Sequence, residues 1–107
     1  MRDVRLEKLT HLVMRRASEV ILHELVDPRL GFVTVTRVKL SRDLRHAVIY
    51  YSVVGSDAER SKTAHALEHA RGHIQSQIAR AMRTRVTPLV RFEFDEGVEG
   101  SIRVSEL

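Results

Sequence analysis

The chain has 107 residues and no cysteine; it is sized for one domain and cannot form a disulfide framework or a thiolate metal site. No run approaches the roughly 20 apolar residues of a membrane span, and Met1-Arg2-Asp3-Val4-Arg5 leads into a charged amphipathic stretch, not an apolar leader core, so a soluble cytoplasmic protein is expected. The net charge of +4 is unevenly spread: residues 57–91 carry seven Lys/Arg against three Asp/Glu, whereas residues 92–107 carry one against five, a basic body with an acidic end that suits an anionic partner.

In chain order, Leu6, Leu9, Val13, Ala17 and Val20 recur every three to four residues, the apolar stripe of a long helix, with Lys8 and Arg15 pointing the other way. That helix is expected to stop before Pro28, because the residue preceding a proline is pushed out of the helical region. Asp27-Pro28-Arg29-Leu30-Gly31 reads as a turn, with glycine permitting a positive φ. Phe32 to Leu40 is rich in β-branched residues and reads as a strand. Across the short link Ser41-Arg42-Asp43-Leu44, a second strand alternates Ala47, Ile49, Tyr51 and Val53 with His46, Val48, Tyr50 and Ser52, and the link makes the two antiparallel.

Gly55 ends this segment, and Ser56-Asp57-Ala58-Glu59 is a capping-box sequence. The helix it opens buries Thr63, Ala66, Leu67 and Ala70. Gly72 points to a bend, after which a third helix places Ile74, Ile78, Ala81 and Met82 on one face until Pro88 ends it. Leu89 to Phe94 is a third strand, with Val90, Phe92 and Phe94 on one side. The expected order is α-β-β-α-α-β, a two-layer α+β domain with helices on one face of a three-stranded sheet. That is the element order of the prokaryotic, type II, KH RNA-binding fold. Residues 1–96 are expected to form the domain and 97–107 a short tail.

Fold alone does not give function. KH domains use a Gly-x-x-Gly loop between two helices to approach nucleotides; Ala70-Arg71-Gly72 has a single glycine, so a kinked helix pair is expected there, either as a ligand contact or as a packing bend. From Arg71 to Arg85 there are four arginines and no acid. Arg80 and Arg83, with His73 and Ser76, lie opposite the apolar face. They are placed either to hold phosphate through the planar arginine fork or simply to be solvated. Tyr50 and Tyr51 point to opposite faces, one available to stack on a base and the other to fill the core.

His65-Ala66-Leu67-Glu68-His69 matches the inverted zinc-peptidase pattern, but both histidines sit opposite the apolar face with no third ligand in view. Solvent-exposed histidines and no metal are expected. Asp27, Asp43 and Asp95 stand beside turns, where a carboxylate bonds local backbone N–H groups. No Walker loop or Gly-x-Ser-x-Gly elbow occurs, and no catalytic residue is expected.

Asp27-Pro28-Arg29-Leu30-Gly31, Ser41-Arg42-Asp43-Leu44-Arg45-His46-Ala47, the Ala70-Arg71-Gly72 kink, and Arg85-Val86-Thr87-Pro88-Leu89-Val90-Arg91-Phe92-Glu93-Phe94-Asp95 together resemble the bacterial ribosome-binding factor A family. The resemblance spans essentially the whole chain. It implies a KH-like assembly factor that binds the immature small (30S) ribosomal subunit and its 16S rRNA, helps rRNA processing and maturation, and is associated with growth in the cold. It implies no enzymatic activity and no cofactor, membrane or small-molecule substrate, and a monomer is expected. By position, Arg71, His73, Arg80, Arg83 and Arg85 become the expected RNA face, with Lys8 and Arg15 as secondary candidates. The alternative is a protein-interaction module that docks on a ribosomal protein or another factor.

Overall fold

The computed structural model of the protein describes residues 2–97. Helix α1 spans Val4–Glu19, strand β1 Phe32–Leu40, strand β2 His46–Val54, helix α2 Asp57–Met82 and strand β3 Leu89–Phe94. The sheet order is β1-β2-β3, with β1 antiparallel and β3 parallel to β2. A parallel neighbour needs a crossover, and α2 supplies it. Both helices lie on one face, α1 over β1 and α2 over β2 and β3, which gives the expected two-layer α+β architecture.

The apolar stripes fall where periodicity places them. Val13, Ala17 and Val20 from the first helical segment meet Leu67, Ile74 and Ile78 from α2 above Ala47, Ile49 and Val90 of the sheet, all essentially inaccessible. Each fully buried large aliphatic side chain contributes about 1.5–3 kcal/mol. Strand β2 alternates buried Ala47, Ile49, Tyr51 and Val53 with exposed or half-buried residues between them. Tyr51 is the core tyrosine, edge-on to Phe94 with ring centroids 5.8 Å apart, and Tyr50 faces out.

Asp3 caps α1, its carboxylate accepting from the Leu6 N–H at 3.0 Å. That helix stops before Pro28 as expected, but its last turn is not α-helical. It passes into a π-helical turn, Val20–Glu24, closed by the Leu25 N–H donating to the Val20 carbonyl at 3.1 Å. Leu25 then turns extended, three residues short of Pro28, and packs its half-buried side chain against the core. The following turn is held by Asp27, which accepts from the Arg29 N–H at 2.9 Å and from the Arg29 guanidinium. Gly31 does not take a positive φ. Its N–H instead donates to the hydroxyl of Thr63, a fully buried polar residue on α2 that in turn donates to the Arg29 carbonyl. Among the described glycines the one with a positive φ is Gly55 (147°), where a Cβ would stand 2.5 Å from the Glu59 carboxylate.

Ser56 caps α2 by accepting from the Glu59 N–H, while its hydroxyl donates to the Glu59 carboxylate at 3.3 Å. The carboxylate therefore meets the capping hydroxyl, not the backbone N–H of a full capping box. The two helices expected on either side of Gly72 are one unbroken helix of 26 residues, so the order is α-β-β-α-β. A Cβ on Gly72 would meet nothing within 4 Å. Packing therefore does not demand a glycine there, and its intrinsic cost of about 1 kcal/mol against alanine is too small to break a helix anchored by Leu67 and Ile74 on either side. The helix also ends earlier than Pro88 requires: Arg83 leaves it in the left-handed conformation (φ 54°, ψ 36°). Of the expected tail, only Gly97 lies within the described residues.

Candidate nucleic-acid interface

Helix α2 turns Ile74, Ile78 and Met82 into the core, which leaves His73, Ser76 and Arg80 exposed along its outer face. Arg83 and Arg85 are exposed too, but they belong to the irregular connection after the helix, not to the helix itself. Arg83 occupies a cap position usually filled by glycine or asparagine. The left-handed backbone costs a non-glycine residue about 1–2 kcal/mol, so this guanidinium is held at the helix end against a local preference.

Two contacts fix how the helices lie. Arg16 donates to the Gln77 side-chain carbonyl at 2.7 Å, and the Glu24 carboxylate lies between Arg16 (2.8 Å) and His73 Nε2 (3.4 Å). Advancing along α1 thus retreats along α2, and the helices are antiparallel. At about 1.5 Å per residue, Lys8 stands roughly 12 Å from Arg16 toward the helix start, and Arg83 roughly 9 Å from Gln77 toward the helix end. Lys8 and the Arg80–Arg85 group therefore share one end of the helical layer. Arg15, seven residues on from Lys8, is on the same exposed face of α1.

The expected site residues divide by partner. Arg71 is paired with Glu68 at 3.0 Å and His73 with Glu24, so these two are already engaged within the fold. Lys8, Arg15, Arg80, Arg83 and Arg85 have no ion-pair partner among the described residues. Among the other described cations, Arg5, Lys39, Arg42 and Lys62 also lack such a partner, whereas Arg2 pairs with Glu7, Arg29 with Asp27, Arg45 with Asp43, Arg60 with Asp57 and Arg91 with Glu93. An exposed pair contributes little to stability, so the contrast bears on where anions can be held and not on what holds the fold.

His65 and His69 are exposed on α2, and among the described residues no group of three or more His, Asp or Glu side chains is arranged to hold a metal ion. The turn aspartates serve their local backbone: Asp43 accepts from the Arg45 N–H at 3.1 Å and Asp95 from the Gly97 N–H at 3.1 Å. Their acidities follow. The Arg29 guanidinium hydrogen bond, with help from its backbone N–H, lowers Asp27 to about 2. The Ser41 hydroxyl lowers Asp43, and the Thr36 hydroxyl lowers Asp95. A carboxylate held ionised in this way is a poor proton donor.

Sequence reasoning missed one feature. The Arg37 guanidinium lies 3.9 Å from the Tyr50 ring centroid on the outer face of the sheet. It faces outward because a bulge at Thr36 shifts the β1–β2 register between Val35 and Arg37. The signal was present in the spacing: Val33 and Val35 share one parity, Val38 and Leu40 the other, and only an extra residue puts all four on the core face.

Fold and surface together define a small α+β binding domain in which Lys8, Arg80, Arg83 and Arg85, unpaired among the described residues, share one end of the helical layer. The family model described as ribosome-binding factor A matches residues 5–107. The chain is 45% identical over 103 residues to ribosome-binding factor A of Thermobifida fusca, covering 96% of this chain and 68% of that one. The chain belongs to the ribosome-binding factor A family. Its fold is similar to the solution structure of a Thermotoga maritima protein assigned as a ribosome binding factor A (TM-score 0.77, 38% identity, covering 92% of this chain and 95% of that one). It is similar too to a homology model of the Thermus thermophilus factor fitted into a cryo-electron-microscopy map of a complex with the 30S subunit (TM-score 0.68, 28% identity, covering 83% and 93%).

Proposed function

We propose that this protein is a cytoplasmic assembly factor that binds the immature 30S subunit and its 16S rRNA as a monomer and assists rRNA processing and maturation without chemistry of its own. The observation that carries this reading is the set of exposed cations Lys8, Arg15, Arg80, Arg83 and Arg85, which lack ion-pair partners among the described residues. A polyanion meets them without first breaking a pair, and arginine forks hold phosphate oxygens in place. Membership of a family named for the ribosome, with a fold like that of a factor placed on a 30S subunit, supports the same partner. The KH-like reading of the fold remains part of the proposal, with the unbroken α2 standing where a type II KH domain has two helices. No helix among the described residues is long and apolar enough to cross a membrane.

The experiment is co-sedimentation with small subunits, large subunits and whole ribosomes across a salt series. Binding is expected to select small subunits and to fall steeply with salt as neutralised phosphates release counterions. The double variant Arg80→Ala/Arg83→Ala is expected to bind at least tenfold more weakly while remaining folded. Wild-type binding by that variant removes the end of α2 from the site.

A second reading, docking on a ribosomal protein or another factor, has its own observation. Leu22, Val26, Phe32 and Val54 are 72–97% exposed. Leu22 and Phe32 border a groove of about 310 Å³ floored by Ile21, Leu25, Leu30 and Val33. Apolar side chains gathered this way mark protein contact sites. Binding through them would survive nuclease and show little salt dependence.

A further inference from the structure

The sheet turns one face to the helices; among the described residues no helix or strand packs on the other. On that outer face the register sets Lys39, Val48 and Arg91 in one row across the three strands and Arg37, Tyr50 and Glu93 in the next. The second row contains a clamped arginine. Its guanidinium lies over the Tyr50 ring at 3.9 Å, and its Nε is 3.7 Å from the Asp95 carboxylate, itself anchored by the Thr36 hydroxyl at 2.7 Å. Yet the side chain is 61% exposed. A guanidinium stacked on one side and held at its edge presents its other plane to solvent, with much of its conformational freedom already given up.

The first row borders a hollow of about 330 Å³ where β2 and β3 begin, lined by His46, Ala47, Val48, Leu89, Val90 and Arg91 and reaching round to Arg71 of α2. The acids nearby are each occupied: Glu93 by Arg91 (2.9 Å), Glu68 by Arg71 (3.0 Å) and Asp95 by Thr36 and Arg37. Lys39 has no ion-pair partner among the described residues.

We propose that the outer sheet face binds single-stranded RNA, with one base stacked on the Arg37–Tyr50 pair, the adjacent nucleotide at the His46–Arg91 hollow, and its phosphate held by Lys39. Bases stack on arginine planes as they do on aromatic rings. Rows two residues apart along a strand are about 6.6 Å apart, so the stack and the hollow are near neighbours. This contact is separate from the cations at the end of the helical layer. It rests on the RNA-binding reading above only for the class of ligand.

The test is a fluorescence titration with an oligoadenylate containing 2-aminopurine, using the full chain and three variants. Stacking is expected to quench the probe. Arg37→Gln, at an exposed position, is expected to abolish the quench and weaken binding at least about fivefold, the lower end of what one stacked base contributes. Tyr50→Phe keeps the ring and should bind as wild type. Arg80→Ala/Arg83→Ala separates the two sites. If that variant binds weakly while Arg37→Gln binds and quenches normally, the sheet proposal is overturned and the helical site stands. If Arg37→Gln alone loses the probe, the sheet is the site and the helical one fails. No quench by the wild-type protein at low salt, or an Arg37-dependent contact seen only with nuclease-treated ribosomal proteins, also overturns the sheet proposal.

Discussion

The two halves of α2 are built differently. From Ser56 to Ala70 the helix is tied into the fold: Ser56 caps it, Arg60 pairs with Asp57, and Thr63 bonds both Gly31 and Arg29 in the loop before β1. Beyond Gly72 the core contacts continue through Ile74, Ile78 and Met82, but the exposed side carries no acid. The chain leaves the helix at a strained arginine. Acids near the start and cations near the end suit the helix dipole, which accounts for Asp57, Glu59 and Arg80. The dipole does not account for Arg83 and Arg85, which lie past the last turn. The second half also ties into the fold through His73, Gln75 and Gln77, which meet Glu24, the Val90 N–H and Arg16, so it is the arginines at and beyond its last turn that are left over for something else.

The contrast can be broken at four points. The largest effect is expected from Thr63→Val in the tied half, which removes the buried hydroxyl that bonds both the Gly31 N–H and the Arg29 carbonyl. Loss of about 1–3 kcal/mol in urea unfolding is expected, with RNA binding of the folded protein unchanged. A stability change below about 0.5 kcal/mol would mean that Thr63 does not hold the loop. Gly72→Ala, at the junction, should stabilise by about 1 kcal/mol, because a methyl there meets open space and alanine is the better helix former. Destabilisation would reveal a bend that the packing does not show.

Arg83→Gly, just past the helix end, should stabilise the fold by up to about 1 kcal/mol in urea unfolding as left-handed strain is relieved, while small-subunit binding falls. Stability and binding moving in opposite directions is the signature of a residue kept for contact. If both fall together, Arg83 is structural. The smallest effect is in acid. Asp27, held to about 2 in the fold against an ordinary value near 4, contributes stability that is fully present above about pH 4 and is lost as pH falls toward 2. Asp43 and Asp95 shift in the same direction. Asp27→Asn should therefore flatten part of the decline in thermal midpoint between pH 4 and 2, and an unchanged slope would remove Asp27 from it.

Much of the fold was legible in single elements. The 3.6-residue stripe from Leu6 to Val20, the alternation from Ala47 to Val53, the antiparallel link through Asp43 and the turn roles of three aspartates are local patterns, and locality is what a sequence records directly. The candidate site was legible only as a one-sign run. Which of its members were free could not be read, because Glu24, the partner of His73, is 49 residues away along the chain. The same limit hid the Arg37–Tyr50 stack, which depends on a one-residue bulge and the register it sets.

By itself, then, the sequence determined which segments are helix and strand, which face of each is apolar, that the fold is α+β in two layers, and that arginines crowd the stretch from 71 to 85. Tertiary structure alone decided that β3 lies parallel beside β2, that α2 runs straight through Gly72, that Arg83 closes it in a left-handed turn, and which cations are paired. The division has one physical cause. Side-chain periodicity is imposed by the backbone geometry of a single element, whereas register, helix continuity under packing and ion pairing are settled by contacts between elements, where core burial outweighs a residue's own preference.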